Sequence, residues 1–345
     1  MKFGPVPISE AEGSILAHSV TADGTKFRKG QVLGAEEVAA LRAAGTNELV
    51  VARLEEGDLH EDEAAAQLAT ALVPDAQAAG LRVTQPFTGR VNLIADAPGV
   101  VRLDVEALHR FNAIHPMITV ATVPAFQQVG PGAMVATIKI ISYSVPQADV
   151  ARAAATAPAA LRLTRPIYGS AGLVVTDIPG GPDNTKGIAA ITARVESLGM
   201  DMAEVITVPH ETPALAQALG RVKGDIALIL TGSATSDLHD TAPEAVRRAG
   251  GAVDRFGMPV DPGNLLFIGQ MGLRPVIGLP GCARSPALNG ADWVLSRVAC
   301  GVEVTSADIS VMGVGGLLKE IPTRPQPRGL RPAKASQREA AGQKS

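Results

Sequence analysis

Two almost uninterrupted apolar runs constrain the fold of this chain more than any other feature of its sequence. They are AGLVVTDI at 171–178 and DIALILTG at 225–232. Continuous apolar runs of this length are typical of strands buried on both faces of a parallel sheet, whereas a strand with one solvent face alternates. After the first run, apolar residues recur at steps of three and four, which predicts a helix, at Ile188, Ile191, Val195 and Leu198.

The same alternation of strand and helix continues to about residue 318. We expect further strands at 205–208, 264–268 and 275–279 and further helices at 212–222, 242–249 and 283–299. This pattern predicts a three-layer, doubly wound, mostly parallel α/β domain over 162–318. Ligands of such sheets bind beyond the carboxyl ends of the strands, so the loops at those ends are the candidate site.

The first part of the chain, 1–145, reads as a smaller β-rich α+β domain. Strands are expected at 49–51, 91–95, 118–123 and 133–145. One helix through Val38 and Leu41 ends at Gly45 in the C-cap position, and a second opens at Asp58, which has capping-box spacing to Glu61. The Ala-rich segment 146–161 is predicted to be a linker or a short exposed helix, and 322–345 a disordered tail.

Composition excludes several classes of function. Lys and Arg number 31 against 34 Asp and Glu, which gives a net charge of -3, and aromatic residues make up only 3%. Such a chain has no basic excess to attract nucleic acid or anionic membrane and few rings to stack on bases. It contains two cysteines and no signal-peptide or membrane-span pattern. We therefore expect a cytoplasmic protein without nucleic-acid or membrane partners.

Three predicted loops at strand ends carry the residues suited to chemistry. They span 177–186, 231–244 and 279–286, and are rich in Gly, Ser, Thr, Pro and Asp. Small residues allow backbone N–H groups to approach a phosphate, and Asp237 and Asp240 are of the type that holds a divalent cation. For each loop taken alone, ordinary helix capping is the alternative interpretation.

Three segments of this region resemble a known family. The segment TGSATSDLHDTAPEA at 231–245 resembles the signature of molybdopterin-binding domains, and MPVDPGN at 258–264 and PVIGLPG at 275–281 resemble two further motifs of that family. The segment 29–51 is loosely similar to the part that precedes this domain in molybdopterin molybdenumtransferases. The resemblance is good over about 171–300 and loose over 15–55. The chain also resembles the amino-terminal half of fusion proteins that pair a molybdopterin-binding part with a cofactor nucleotidyltransferase part.

The resemblance implies a molybdopterin-binding fold and a role in molybdenum cofactor biosynthesis. It implies a homo-oligomeric protein that takes molybdopterin and molybdate, inserts molybdate with Mg2+ as a molybdenumtransferase does, and works beside a cofactor nucleotidyltransferase or a recipient molybdoenzyme. Asp240 and Asp237 would be the catalytic and Mg2+-binding acids. The implied pocket residues are Thr231, Gly232, Ser233, Thr235, Ser236, Pro262, Gly263, Asn264, Pro280, Gly281 and Ser285.

Several positions depart from the family pattern. Ser233 stands where a second Gly is usual, Asn264 replaces a Lys, and the first strand lacks the family's acid. These departures favour an alternative, a non-catalytic carrier or insertion chaperone for the finished cofactor. A nucleotide-binding enzyme of another kind is a third hypothesis. His239 is either a functional partner of Asp240 or a surface residue, and Cys282 is interpreted as a small residue in a tight turn.

Overall fold

The computed structural model describes residues 1–181 and 183–318. Up to residue 164 its helices are α1 (Ala35–Ala43), α2 (Glu61–Leu72), α3 (Val105–Asn112) and α4 (Gln147–Thr156). The strands of this part are β1 (Lys2–Pro7), β2 (Ile15–Leu16), β3 (Val20–Ala22), β4 (Thr25–Phe27), β5 (Glu48–Arg53), β6 (Asp58–His60), β7 (Leu81–Val83), β8 (Arg90–Ala95), β9 (Gly99–Leu103), β10 (Ile118–Thr122), β11 (Gln128–Val129), β12 (Met134–Ile140), β13 (Ser144–Pro146) and β14 (Leu161–Thr164). The tail predicted at 322–345 lies outside the described residues.

The strands of this first part pair antiparallel in small sheets. Their orders are β1-β5-β2, β3-β4, β13-β6, β10-β12-β8-β7 and β11-β9-β14. Two hydrophobic cores form here. One contains Leu16, Leu33, Leu41 and Val51 under α1, and the other joins α2, α3 and α4 to the larger sheets through residues such as Leu68.

The second part is built on one six-stranded sheet. Its strands are β15 (Ser170–Asp177), β16 (Asp201–Pro209), β17 (Ile226–Leu230), β18 (Ala252–Phe256), β19 (Phe267–Met271) and β20 (Arg274–Leu279), and its helices are α5 (Asn184–Glu196), α6 (Thr212–Arg221), α7 (Thr241–Arg248), α8 (Gly290–Ala299) and α9 (Ser306–Val311). The order is β16-β15-β17-β20-β19-β18. The strands β16, β15, β17 and β20 pair in parallel. Only β19 is reversed in this sheet, since it pairs antiparallel with both β20 and β18.

Successive residues of the central strands belong to different hydrophobic cores, because their side chains alternate between the faces of the sheet. Leu173 and Leu228 pack with residues of α5 and α8. Val174 and Ile229 pack with residues of α6 and α7. Both faces are therefore covered, which explains the continuous apolar runs. The prediction of an α/β protein is confirmed, and the structure has several sheets.

The last long helix begins later than its predicted start at 283. Gly281–Arg284 is a short 3-10 turn, and α8 begins at Gly290. Asn289 and Asp292 form a capping box, in which the Asn289 carboxamide accepts from the Ala291 amide at 2.9 Å and Asp292 accepts from the Asn289 amide at 2.8 Å. This cap, seven residues after Cys282, fixes the start of the helix, and the prediction was wrong there.

The predicted capping box at Asp58 was also wrong. Residues Asp58–His60 form β6, and α2 begins at Glu61 with His60 as its N-cap, accepting from the Asp62 amide at 3.3 Å. The Asp58 carboxylate instead lies 2.7 Å from the N-terminal amine. The Asp58 side chain therefore pairs with the N-terminal amine, which is distant in sequence, and does not cap α2 as its spacing to Glu61 predicted.

The segment 146–161 contains α4, and this helix has a buried face. Val150 and Ala153 are 1% and 0% exposed. They belong to the same core as Leu68 of α2, and β14 pairs with β9 just beyond. The segment thus packs on the first part of the chain.

In the described residues, no helix combines the length and the apolar character needed to cross a bilayer.

Candidate functional site

The carboxyl ends of the parallel strands meet at one edge of the six-stranded sheet. Leu230 pairs with Val175 on one side and with Leu279 on the other. The three loops singled out in the sequence therefore leave the sheet at the same edge. Phe267 lies opposite Gly278 in the antiparallel pair, so the segment before β19, with Pro262, also arrives at this edge.

Arg284 belongs to one of the three loops and contacts the other two. It lies in the loop after β20, and its Nη1 donates to the Asn184 side chain at 2.7 Å and its Nη2 to the Thr231 carbonyl at 2.8 Å. Asn184 belongs to the loop after β15 and begins α5, and Thr231 follows β17. One guanidinium therefore sets the spacing of the loops.

The peptide group after Thr231 is held on its other side by Thr176. The Gly232 amide donates to the Thr176 hydroxyl at 2.8 Å, and the same hydroxyl lies 2.8 Å from His210 Nδ1. Thr176 is fully buried at the end of β15, and His210 follows β16. The Gly232 amide, predicted to bind a phosphate, is thus engaged inside the protein.

Asp240 acts as the N-cap of α7. Its Oδ1 accepts from the Thr241 amide at 2.6 Å and its Oδ2 from the Ser236 amide at 2.8 Å. Partial burial raises the pKa of the Asp240 carboxyl, but these two amides and the charge of His210 outweigh it and hold the pKa below its ordinary value. The Asp237 carboxylate accepts from the His239 amide at 2.8 Å. Asp240 makes the contacts of an ordinary N-cap, and Asp237 makes those of an Asx turn.

A metal site at these acids finds little support in the geometry. Within residues 1–181 and 183–318, no group of three or more His, Cys, Asp and Glu side chains is placed to hold an ion. The two carboxylates already accept backbone hydrogen bonds. The Mg2+ site at Asp240 and Asp237 stays a prediction, and no chemical step is assigned to it.

The predicted pocket residues differ in exposure. Thr231, Thr235, Gly263 and Pro280 are buried, Gly232 and Pro262 are intermediate, and Ser233, Ser236, Asn264, Gly281 and Ser285 are exposed. Gly263 lies against the start of α8, where a Cβ on it would stand 2.7 Å from the Gly290 nitrogen. The Pro262 carbonyl accepts from the Gly290 amide at 2.8 Å. The segments 262–264 and 279–290 are therefore packed together. Their role in binding a ligand stays a prediction.

A buried arginine braces the loop after β20. Arg194 of α5 is 8% exposed. Its Nε pairs with Asp292 at 2.7 Å, and its terminal nitrogens donate to the carbonyls of Ala283, Ser285 and Ala287 at 2.9, 2.7 and 3.0 Å. Arg194 thus fixes the position of Ser285 through the backbone carbonyl of that residue.

The sequence interpretation left His210, Thr176 and Arg284 out of the site. The signal for His210 was available, because a polar residue directly after the strand at 205–208 falls at the ligand edge by the rule already applied. Arg284 had no such signal, since its partners lie 53 and 100 residues away.

The other reactive side chains fit the simpler interpretations. Cys282 is exposed, and partial desolvation raises the pKa of its thiol, which disfavours the reactive thiolate. His239 is exposed, and its amide bonds to Asp237. Neither the raised pKa of Cys282 nor the surroundings of His239 indicate catalysis by these side chains.

Comparisons with known proteins give limited similarity. A family described as a domain of unknown function (DUF8806) matches residues 5–53, and no curated protein matches. A molybdopterin biosynthesis MoeA protein from Pyrococcus horikosii is 13% identical, with a TM-score of 0.30 over 88% of this chain and 76% of that one. A molybdenum cofactor biosynthesis protein from Pyrococcus furiosus is 13% identical, with a TM-score of 0.24 over 90% of this chain and 65% of that one. TM-scores of this size do not establish a shared fold.

Proposed function

We propose that this chain binds molybdopterin at the carboxyl edge of its six-stranded sheet and acts in molybdenum cofactor biosynthesis. The observation that carries the proposal is one of position. The segments 231–245, 258–264 and 275–281, which resemble the family's motifs, reach or leave the sheet at the same edge. The helices packed on both faces of the sheet support a three-layer, doubly wound molybdopterin-binding fold.

The loop after β17 supplies donors for an anionic group. Among the described residues, the backbone amides of Ser233, Ala234 and Thr235 make no hydrogen bond to the protein, while the Gly232 amide is bound to Thr176. Ser233 and Ala234 are also exposed. Backbone amides without protein partners at a strand end favour binding of a phosphate group such as the one that molybdopterin carries.

Within this proposal, the contacts of Asp240 favour a carrier or insertion chaperone. Both of its oxygens accept backbone hydrogen bonds that cap α7. An acid that must handle molybdate would have to exchange these bonds for its substrate. Molybdate insertion, the activity of a molybdenumtransferase, is the second candidate. It is supported by the motif resemblance around Asp240, and molybdenum is then the substrate.

Calorimetric titration of the full chain with molybdopterin tests the proposal, and we expect an affinity in the micromolar range or tighter. Ser233→Glu should weaken binding, because it places a carboxylate beside the free amides. Leu273→Glu, which adds the same charge at a fully exposed residue in the β19–β20 turn, is the matched control. Absence of binding by the unmodified chain overturns the proposal. Incubation with molybdate then separates the two roles, since only insertion adds molybdenum to the bound ligand.

A further inference from the structure

The guanidinium of Arg284 is partly desolvated and has no charged partner among residues 1–181 and 183–318. Its two hydrogen bonds go to neutral acceptors, the Asn184 side chain and the Thr231 carbonyl. Among the described residues it forms no ion pair, in contrast to Arg194, which pairs with Asp292 at 2.7 Å. Burial lowers the pKa of Arg284, and no acid in the described part of the chain acts against this effect. A cation in this position lacks the counter-charge that desolvated charges ordinarily have in proteins.

The sequence of α5 makes room for this side chain. Gly187 lies inside the helix, where glycine costs about 1 kcal/mol relative to alanine. A Cβ at this position would stand 3.1 Å from Arg284 Nη1 and 3.2 Å from its Cγ. Arg284 therefore lies directly over the first turn of α5. The absence of a side chain at 187 has a specific structural use, which is to admit the guanidinium.

Arg284 retains donors beyond those that hold the loops. A guanidinium carries five N–H groups in a planar fork, and two bonds are made within the described protein. The bond to Thr231 brings the fork to the same loop as the free amides of Ser233 and Ala234, two and three residues further along. A guanidinium and unpaired backbone amides that belong to the same cluster of loops suit an oxyanion.

We propose that Arg284 binds an oxyanion of the phosphate-monoester class where the three loops meet, and so selects for ligands that carry such a group. The proposal rests on the proposed function for the identity of the site but names the group recognised and the residue that recognises it. Ligands without the oxyanion would leave the cation uncompensated, which is the physical basis of the selection.

Calorimetric titration of the full chain with inorganic phosphate tests this role. We expect saturable binding to the unmodified chain and a loss of about tenfold or more in Arg284→Gln. Arg284→Lys should lose less affinity than Arg284→Gln, because lysine keeps the charge but not the planar fork. Arg221→Gln removes the same charge from the exposed end of α6 and should bind phosphate unchanged. Gly187→Ala keeps Arg284 but displaces it, and should weaken binding several-fold even where Arg284→Gln does not fold.

Three results of the phosphate titration would overturn the inference. The first is no phosphate binding by the unmodified chain at millimolar concentration, the second is undiminished binding by Arg284→Gln, and the third is an equal loss in Arg284→Lys and Arg284→Gln, which would show that Arg284 only ties the loops together. A parallel titration with molybdopterin separates this inference from the proposed function. Phosphate binding through Arg284 without molybdopterin binding overturns the proposed function alone. Molybdopterin binding that is unaffected in Arg284→Gln overturns this inference alone.

Discussion

The Gly232 amide donates to the Thr176 hydroxyl at 2.8 Å. On the opposite side of the same peptide group, the Thr231 carbonyl accepts from Arg284. One peptide at the end of β17 is thus fixed from the neighbouring strand and from the loop after β20. Its orientation sets the direction in which the loop 231–240 leaves the sheet.

Replacing Thr176 with Val keeps its shape but removes the hydroxyl. We expect a loss of about 1–3 kcal/mol in the free energy of unfolding, because the Gly232 amide and His210 Nδ1 are left without their partner. Urea unfolding followed by circular dichroism measures this. Thr207→Val, on the exposed face of the neighbouring strand β16, is the control and should stay within about 0.5 kcal/mol. Equal stability of both variants would contradict the role given to Thr176.

Asp240→Asn should lower stability in a pH-dependent way. The pKa of Asp240 is depressed in the folded state, so its contribution is present above the unfolded pKa of about 3.9 and is lost as pH falls through the folded value. The difference in unfolding free energy between the unmodified chain and Asp240→Asn should therefore be largest near neutral pH and shrink in acid. Urea unfolding of both proteins between neutral and acidic pH checks this. A difference that grows in acid would show that the Ser236 and Thr241 amides do not stabilise the ionised carboxylate.

Arg194→Met should destabilise the fold by about 3–5 kcal/mol, because it leaves Asp292 and four backbone carbonyls without their buried partner. The double variant with Asp292→Asn should cost less than the sum of the single variants, since the two side chains interact directly. Chemical denaturation of the four proteins in this cycle gives the coupling. If the effects of the two single variants simply add in the double variant, Arg194 and Asp292 do not stabilise the fold through their direct interaction.

Two glycine substitutions should have opposite signs. Gly263→Ala should destabilise by about 1–3 kcal/mol, because its φ of +143° is one that alanine rarely adopts and the new Cβ would press on Gly290. Gly220→Ala, inside α6 with nothing near its Cβ, should stabilise by about 0.4–1 kcal/mol. Thermal unfolding measures both. Stabilisation at 263 would contradict the close packing of that segment on α8.

The two thiols should differ in their reaction with a disulfide reagent. Cys282 is exposed but has a raised pKa, so its labelling should be slow at neutral pH and accelerate as pH rises past the ordinary thiol value. Burial raises the pKa of Cys300 to about 11, and we expect no labelling there until the protein unfolds. Release of the chromophore over time, with Cys282→Ser as the control, distinguishes them. Rapid labelling of Cys282 at neutral pH would contradict its assignment as an inert turn residue.

The strands and helices of the sheet domain could be predicted because their signals are local. The runs around Val174 and Leu228 lack polar residues since both faces of the sheet are covered. The strand at Ala252–Phe256 was missed because Asp254 and Arg255 interrupt its apolar pattern at an edge of the sheet. The start of α8 was missed because several Gly, Pro and Ser residues precede it, and only the contact with Asp292 selects Asn289 as the cap.

The candidate site, too, could be predicted from the sequence only in part. Its loops were predicted from the rule that ligands lie beyond strand ends, and the strand registers bring those loops to one edge. The contacts inside the site could not be read from spacing. Arg284 reaches Asn184 across 100 residues, and no local pattern encodes such a pair.

The burial of α4 and the pairing of β14 with β9 have a practical consequence for dividing the chain into fragments. A protein expressed to residue 145 would expose the core residues that pack with Val150 and would leave β9 paired only with β11. A protein beginning at 162 would carry β14 as an orphan strand with unpaired backbone groups, which is a template for aggregation. A cut between Thr164 and Ser170 leaves both elements on the piece whose core they complete.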